Sequence, residues 1–196
     1  IEQAKNMQIV NCWGCELPNS IELIGGENIV VKNCQLGAQP TGITCKVQEV
    51  NKLSFINNQV YPDGRENLVL DACNNCVIEG NNFKSYYNGI LVLNGNDNTV
   101  NKNIFWLTGA VQNQLLDHGD DFGIINVKGN NNMVASNSLS CEWAYAGAVT
   151  VNAVQGTGNV FKNCFVDNLE SYRVFLVNAQ TEVSNCVSSD KVSIVE

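Results

Sequence analysis

The sequence predicts an all-β fold, a single-stranded parallel β-helix of about eight coils that spans residues 1–196 as one domain. Three observations predict it: a unit of about 22 residues repeats along the chain, each unit holds short apolar segments, and asparagine or glycine separates them. One such unit cannot bury its apolar side chains alone, whereas stacked units form a continuous core. An antiparallel sandwich would instead show hairpin signals about every 8–12 residues.

Asparagine marks one position of the repeat. Steps of 22, 25, 23, 22, 34, 26 and 22 residues separate the successive anchors Asn11, Asn33, Asn58, Asn81, Asn103, Asn137, Asn163 and Asn185. Asparagine tolerates the left-handed backbone conformation of a sharp corner. Equivalent amides in stacked coils can also hydrogen-bond to one another, as in asparagine ladders. The repeated asparagines therefore predict corners that stack in register.

Two apolar segments in each repeat predict the strands. One segment precedes most anchors, at 29–31, 53–55, 77–78, 99–100, 133–134 and 160–161. The other lies between anchors and alternates apolar with other residues, at 21–23, 43–45, 68–70, 90–93, 124–127, 149–151 and 174–177. Glycine and asparagine follow several of the second segments, at 25–28, 94–98 and 129–132. Each coil is therefore predicted to hold short strands joined by tight corners.

The repeat is interrupted once and shows no cap at its start. The 34-residue step carries an insertion at about 106–121, and such insertions leave a solenoid on one face, often the binding face. Solenoids need polar caps, but coil sequence begins within the first ten residues. We therefore expect a chain that is part of a longer rod or that stacks on another copy.

Composition excludes several classes of protein. The chain is 44% hydrophobic and 15% charged, which indicates a packed globular protein rather than a disordered one. A net charge of −8 argues against a nucleic acid as partner. No apolar run approaches the roughly 18 residues of a membrane span, so none is predicted.

The cysteines predict stacked core side chains rather than metal ligands. One position of the repeat holds Cys12, Cys34, Cys164 and Cys186, with Gln59 and Ser138 in other coils. Neighbouring coils would place such residues about 4.8 Å apart, a separation that also permits a disulfide. The pair Cys73 and Cys76 resembles half of a zinc site, but a structural zinc needs four ligands and the sequence has no second pair. We therefore predict no metal site.

Several stretches carry a family resemblance. They are Pro-Asp-Gly-Arg at 62–65, Cys-Asn-Asn-Cys at 73–76, Tyr-Asn-Gly-Ile at 87–90 and Asp-Asp-Phe-Gly-Ile-Ile-Asn-Val at 120–127. With them the chain resembles the inulin fructotransferases and the related difructose-anhydride hydrolases, from about residue 6 to residue 194. The match covers the C-terminal half of a typical member, and it implies a right-handed parallel β-helix.

The resemblance also implies an activity. Members cleave between fructosyl units and transfer the fructosyl group within the molecule, which gives a cyclic difructose anhydride without a metal or cofactor. A fructan or other glycan is therefore the expected partner. The resemblance further implies a homo-oligomer, a trimer with sites between subunits, and an extracellular or cell-surface location.

Two carboxylates are predicted to be catalytic. Glycosidic chemistry needs one carboxyl group to protonate the leaving oxygen and a second group to activate the attacking hydroxyl. The resemblance places the family's aspartate at Thr41 and its glutamate near Asn51, and neither residue can act as a general acid. Glu49 is the carboxylate nearest to Asn51, and Glu22 matches a glutamate of the family. We therefore predict that Glu22 and Glu49 are catalytic, although Glu22 also fits a solvated strand residue.

Four further residues are predicted to bind substrate: Arg65, Asp120, Asp121 and Tyr87. Arg65 matches an arginine of the family and could fork onto sugar hydroxyls. Asp120 and Asp121 belong to an acidic segment with the only histidine, His118, which is also typical of a solvated loop. Tyr87 is near a strand end, where it could stack on a sugar. Other candidates for stacking are Trp13, Trp106, Trp143, Tyr86 and Tyr145.

Two functions therefore compete. The first is an extracellular carbohydrate-active enzyme on inulin-type fructan. The second is a β-helix without activity that serves as a structural, self-assembling or glycan-binding protein. The breadth of the resemblance favours the first, and the replacements at Thr41 and Asn51 favour the second.

Overall fold

The computed structural model describes residues 1–108, 121–141, 149–167, 171, 173–188 and 191–195. In these ranges the chain forms the strands β1 (Glu2–Val10), β2 (Trp13–Leu17), β3 (Ile21–Lys32), β4 (Gln35–Ala38), β5 (Ile43–Ile56), β6 (Gln59–Val60), β7 (Glu66–Asp71), β8 (Val77–Glu79), β9 (Asn82–Ser85), β10 (Leu91–Asn94), β11 (Thr99–Asn101), β12 (Ile104–Leu107), β13 (Ile125–Val127), β14 (Met133–Ala135), β15 (Ser138–Cys141), β16 (Val151–Ala153), β17 (Val160–Lys162), β18 (Phe165–Asp167), β19 (Phe175–Asn178), β20 (Glu182–Ser184) and β21 (Val192–Val195). All the strand pairings in this part of the chain are parallel. The predicted all-β parallel β-helix is confirmed.

The coils present three faces. Face A holds the first halves of β3 and β5, followed by β7, β10, β13, β16, β19 and β21. Face B holds β1 and the second halves of β3 and β5, followed by β8, β11, β14, β17 and β20. Face C holds β2, β4, β6, β9, β12, β15 and β18. These seven strands mark seven coils, and the backbone N–H of Val187 continues the register by donating to the carbonyl of Cys164 at 2.9 Å.

Faces A and B are joined by two long strands. β3 and β5 bend around the corner between these faces without leaving the hydrogen-bonded ladder. Residues of positive φ make the bend possible: Gly25 has φ +67° and Glu49 has φ +53°. The corner between A and B is therefore a continuation of the sheet rather than a loop.

Inward side chains of the three faces fill one core. Phe55, Phe83 and Phe105 form a stack through three successive coils, with ring centroids 6.1 Å and 5.0 Å apart. All three are at most 1% exposed. The register of the parallel strands explains the contact of Phe83 with Phe105, which are partners on face C, and Phe55 joins them from face B, where its partner is Ile78.

Two adjacent columns of residues form the corner between faces B and C, which we call the ladder corner. The first column has positive φ between +52° and +67° and holds Asn11, Asn33, Asn57, Gly80, Lys102, Ser136, Asn163 and Asn185. The second follows directly and points inward, and it holds Cys12, Cys34, Asn58, Asn81, Asn103, Asn137, Cys164 and Cys186. The asparagines chosen as anchors from the sequence therefore come from both columns. Four of them, Asn11, Asn33, Asn163 and Asn185, lie one residue before the inward column that holds the other four, which corrects the alignment of the repeat by one residue in four coils.

The inward asparagines hydrogen-bond from coil to coil. Asn81 donates through Nδ2 to the carbonyl of Phe55 at 2.8 Å and to Oδ1 of Asn103 at 2.9 Å. Its own Oδ1 accepts from the backbone N–H of Asn58 at 2.8 Å and from Nδ2 of Asn58 at 3.0 Å. Asn58, Asn81, Asn103 and Asn137 are at most 2% exposed. The amides thus use both donors and the oxygen, which a buried amide requires.

Cysteine continues this column at both ends. Sγ of Cys34 donates to the carbonyl of Ile9 at 3.6 Å, and Sγ of Cys164 donates to the carbonyl of Val134 at 3.7 Å. These carbonyls are equivalent to those that the amides reach, so the thiol takes the place of the amide. Gln59 and Ser138 were predicted in this column, but they lie one residue later, where Gln59 pairs with Gln35. All nine cysteines are free thiols.

Candidate functional site

Three of the residues predicted to bind substrate lie on one edge of the solenoid. This edge, which we call the C–A edge, holds the connections from each strand of face C to the next strand of face A. Arg65 lies between β6 and β7, Tyr87 between β9 and β10, and Asp121 between β12 and β13. They belong to successive coils, so their backbones are spaced by about 4.8 Å per coil. Asp120 and most of the predicted insertion lie outside the described residues, as do His118, Trp143 and Tyr145.

Arg65 is held in register with the preceding coil. Its backbone N–H donates to the carbonyl of Gly42 at 2.8 Å, and its Nε is 4.0 Å from Oε1 of Glu66. Thr41, the position that the resemblance assigns to an aspartate, lies exposed in the turn closed by the N–H of Gly42 and the carbonyl of Gln39. The chain therefore places a cation beside this turn, but no carboxylate at Thr41.

Asp121 fastens the end of the insertion to the solenoid. Its Oδ1 is 2.8 Å from Nη1 of Arg173, and its carbonyl accepts from Nδ2 of Asn152 at 2.5 Å. The carbonyl of Phe122 accepts from Nδ2 of Asn88 at 2.7 Å. The ring of Phe122 packs over Gly89, where a Cβ would lie 2.5 Å from the ring. The carboxylate of Asp121 is therefore engaged by a protein cation.

The two predicted catalytic carboxylates are not brought together. Glu22 points outward from face A, and its Oε1 accepts from Nζ of Lys46 at 3.1 Å. Glu49 is exposed at the bend between faces A and B, three residues after Lys46. Three residues of strand span about 10 Å. Glu22 and Glu49 therefore lie toward opposite ends of the strands of face A and do not form a pair.

A carboxylate does lie beside Asn51. Oε1 of Glu27 accepts from Nζ of Lys52 at 3.0 Å and from Nδ2 of Asn51 at 3.4 Å. The hydrogen bond from Lys52 and its charge hold the pKa of Glu27 below its usual value. Sequence reasoning missed Glu27, because only the pairing of Glu27 with Asn51 brings it to this position.

Outward residues of face A line a groove of about 300 Å³, which we call the face A groove. Its lining residues are Lys46, Gln48, Val69, Leu70, Asp71, Val92, Asn94 and Lys128. Val69 and Val92 are neighbours on β7 and β10, and they form an apolar strip. Asp71 and Asn94 are neighbours in the same way, and Nδ2 of Asn94 donates to Oδ1 of Asp71 at 2.7 Å. The groove therefore combines an apolar floor with amide, carboxylate and ammonium groups.

This set of groups suits a saccharide. Amide and carboxylate oxygens accept from sugar hydroxyls, lysine and amide nitrogens donate to them, and the valines can contact the C–H face of a ring. Asp71 is the one carboxylate among the lining residues. Glu22 lies two strands away and two residues along the strand, so its Cα is about 12 Å from that of Asp71. Glycosidases use two carboxyl groups, and the groove lining supplies one, so it suits binding of a saccharide better than cleavage.

The sequence contained a signal for the groove. One outward position of face A is occupied in four successive coils by Glu22, Lys46, Val69 and Val92. The outward position two residues further along the strand is occupied by Gln48, Asp71 and Asn94. Aligning the face A strands by their inward residues would have shown both columns. The prediction considered carboxylates one by one, so it found Glu22 and missed the groove.

The cysteines of the core act as hydrogen-bond donors. Sγ of Cys73 donates to the carbonyl of Val47 at 3.5 Å, and Sγ of Cys76 donates to the carbonyl of Asn74 at 3.4 Å. Burial raises the pKa of Cys73 and raises that of Cys76 to about 12. Cys164 differs, because the hydrogen bond with Cys186 lowers its pKa to about 7.

Comparisons with known proteins place this chain in a family. Residues 5–185 match the family model of NosD, described as a periplasmic copper-binding protein. The chain belongs to the NosD family. A comparison with curated protein sequences found no match. Among the described residues, no helix is long and apolar enough to cross a membrane.

Solved structures of the DFA-IIIase from Arthrobacter chlorophenolicus A6 share the fold over 100% of this chain. The form without its lid is 22% identical with a TM-score of 0.84, and the complex with GF2 is 20% identical with a TM-score of 0.81. The complex with DFA-III is 20% identical with a TM-score of 0.78. The chain spans about half the length of that protein, from 51% to 54%. The resemblance found in the sequence is confirmed for the fold.

The described residues do not fit the copper centre that the family description names. Copper takes thiolate, imidazole or carboxylate ligands, and no group of three or more such side chains occurs in the described part of the chain. The buried thiols Cys34, Cys45, Cys73 and Cys76 have pKa values raised by burial, which favours the protonated form over the thiolate that binds metal. We therefore assign no step to a metal.

Proposed function

We propose that this chain is a carbohydrate-binding β-helix and that the face A groove holds a saccharide of the fructan type. The observation that carries the proposal is the groove, where Asp71, Asn94, Gln48 and two lysines surround an apolar strip. The saccharide class comes from the DFA-IIIase structures, which share the fold and include complexes with GF2 and DFA-III.

The lysines set the two ends of the groove. Lys46 is 3.1 Å from Glu22, and its side chain is 33% exposed, so it can also donate to a ligand. Lys128 is exposed on the neighbouring strand connection, beyond Asn94. Ammonium groups donate to hydroxyl oxygens, and Asp71 between them accepts from hydroxyls. A short oligosaccharide along face A would therefore meet donors at its ends and an acceptor near its middle.

Asp71 is the central polar contact of the proposed site. Its Oδ1 already accepts from Asn94 at 2.7 Å, which fixes the carboxylate and leaves lone pairs for sugar hydroxyls. A hydrogen bond to a charged group contributes about 1.5–3 kcal/mol. Loss of this charge should therefore weaken binding by about tenfold or more.

The test measures binding of GF2 and of inulin by calorimetry and by chemical-shift perturbation. Asp71→Asn should bind at least about tenfold more weakly than the unchanged chain. Glu79→Gln is the matched control, because Glu79 pairs with Lys102 at 2.9 Å on face B and makes no contact with the groove. Absence of binding by the unchanged chain, or equal weakening by both variants, would overturn the proposal.

Fructan cleavage with intramolecular transfer is the second candidate. The outward carboxylates of face A favour it, since Glu22 and Asp71 both face the surface where the saccharide is proposed to lie. Chromatography of inulin after incubation with the chain tests it. A difructose anhydride that disappears with Asp71→Asn and persists with Glu79→Gln supports the enzyme. Binding without product leaves a glycan-binding protein.

A further inference from the structure

Face C carries outward aromatic residues in two neighbouring columns. Tyr61 and Trp106 lie two coils apart in one column, and Trp13 and Phe165 lie at the two ends of the other. The strands between them carry polar outward residues: Gln35, Asn82, Lys84, Ser138 and Ser140. The pairing register places these residues in two neighbouring columns that run along the solenoid axis.

The aromatic rings are accessible. Trp13 is 70% exposed, Phe165 53% and Tyr61 39%, whereas the inward rings of Phe83 and Phe105 are fully buried. Exposed apolar groups that cluster on a surface often mark a binding site. Core packing explains the buried phenylalanine stack, but it does not explain the exposed rings of Trp13, Tyr61 and Phe165, and Trp106 is only half-buried.

Two contacts hold the central rings in place. Nζ of Lys84 lies 4.8 Å from the centroid of the Trp106 ring, a cation–π interaction between neighbouring coils. The hydroxyl of Tyr61 donates to Oε1 of Gln35 at 3.1 Å. Both contacts run along the solenoid axis, so polar residues of the intervening coils position the rings of the aromatic coils.

The spacing of the rings follows from the coil height. Strands of neighbouring coils lie about 4.8 Å apart, so the rings of Tyr61 and Trp106, on alternate coils of one column, are about 10 Å apart along the axis. In an extended chain of equatorially linked pyranoses, every second sugar presents the same face. Such a chain can stack alternate rings on the aromatic coils while its hydroxyls meet the amides and hydroxyls of the coils between them.

We propose that face C binds a neutral, extended β-1,4-linked polysaccharide, of the cellulose or chitin type, parallel to the solenoid axis. The net charge of −8 disfavours nucleic acids and acidic polymers. The alternation of rings with polar groups favours a ligand with both C–H faces and hydroxyls over a purely apolar partner. This site is separate from the face A groove, and fructans, which are flexible chains of furanoses, lack the flat repeating face that it requires.

The test is depletion of the chain from solution by microcrystalline cellulose and by chitin, followed by affinity electrophoresis in hydroxyethylcellulose. Trp106→Ala and Tyr61→Ala should each weaken retention by about tenfold, the order of magnitude for losing one aromatic stacking contact. Cellohexaose should bind more tightly than cellobiose, because reaching two rings about 10 Å apart takes at least three sugars.

Three controls make the result decisive. Glu79→Gln changes a residue of face B that pairs with Lys102 and should leave retention unchanged. Trp106→Phe keeps a ring and should retain binding, which separates loss of stacking from misfolding. Asp71→Asn should lose GF2 and keep cellulose, so the two sites fail independently. No retention on either polymer, retention of both alanine variants equal to that of the unchanged chain, or a dimer that buries these rings and excludes polysaccharide would overturn the proposal.

Discussion

The ladder corner and the C–A edge are two corners of the same coils, and they are built in opposite ways. At the ladder corner Asn58, Asn81 and Asn103 repeat one set of hydrogen bonds. At the C–A edge the connections differ in length and sequence from coil to coil. Identical rungs can stack with their polar groups satisfied, whereas variable connections cannot repeat a shared set of bonds.

The distribution of unpartnered polar atoms shows the same contrast. Buried oxygens without a hydrogen-bond partner in the described part of the chain include Oγ1 of Thr44, Oδ1 of Asn67, Oδ1 of Asn88 and Oγ1 of Thr108. These four lie on or directly beside the C–A edge, in successive coils, and a fifth, Oδ1 of Asn82, lies directly after the ladder corner. The amide ladder contributes none of the atoms found in this state. The ladder corner thus stabilises the solenoid, and the C–A edge is where the chain can vary to meet a ligand.

The largest expected effect comes from breaking the ladder. Asn81→Leu removes four hydrogen bonds, takes the amide donor away from the carbonyl of Phe55 and leaves the backbone N–H of Asn58 without its acceptor. We expect the free energy of unfolding to fall by about 4 kcal/mol, since each orphaned buried group costs about 1–3 kcal/mol. Urea unfolding measures it. The control is Asn130→Ala, which removes an exposed asparagine. We expect it to lower the free energy of unfolding by about 0.5 kcal/mol.

A smaller loss of stability is expected when an inward asparagine of the ladder corner is replaced by cysteine. Asn137→Cys keeps a donor that can reach the carbonyl of Val100, as Cys164 reaches that of Val134 in the next coil. The free energy of unfolding should fall by about 2 kcal/mol, because a thiol is a weaker donor than an amide. Asn137→Leu is the comparison, measured in the same urea series. Equal losses from both variants would show that the cysteines are only space-filling.

At the C–A edge a comparable change should act locally. Gly89→Ala forces a residue with a side chain to adopt φ +83° and brings its Cβ 2.5 Å from the ring of Phe122. We expect a loss of about 1 kcal/mol, together with faster hydrogen exchange of the amides at 121–123. Exchange measured by mass spectrometry should be unchanged at the ladder corner. A uniform increase along the solenoid would contradict the separation of the two corners.

The smallest expected effect concerns Glu27 at the bend between faces A and B. Lys52 lowers the folded-state pKa of Glu27, so the ion pair stabilises the folded state at neutral pH. This stabilisation is lost as the pH falls through the folded-state pKa. An NMR titration should give a midpoint below the usual glutamate value of about 4.3. Lys52→Met should move the midpoint upward. A midpoint that does not respond to Lys52→Met would contradict the assignment.

The fold could be predicted from the sequence because the repeat length and the positions of its apolar segments are direct properties of a β-helix coil. The spacing of the anchors reflects the coil length, and the apolar segments reflect inward positions. The phase was wrong by one residue in four coils for a physical reason. Asparagine suits both the positive-φ column and the inward column, so a coil with Gly80 or Lys102 in the first column shows its asparagine in the second. Coils with Cys34 or Cys164 in the second column show it in the first.

The functional residues were harder to predict than the fold. Arg65, Tyr87 and Asp121 do share an edge, because connections of successive coils stack as the strands do. The catalytic roles of Glu22 and Glu49 remain predictions, and the structure separates the two residues along face A. The groove around Asp71 and Asn94 depends on contacts between coils, which a single line of sequence does not display. Equivalent residues of neighbouring coils are 22 to 34 positions apart in the sequence.

The 34-residue step between Asn103 and Asn137 has a consequence for how such proteins change. Nδ2 of Asn103 still donates to Oδ1 of Asn137 at 3.0 Å, as if the extra residues were absent. Lengthening a connection at this edge costs chain entropy that grows only with the logarithm of its length. New recognition loops can therefore be grafted between β12 and β13, or at the matching place in any other coil, while the rod beneath them keeps its pitch.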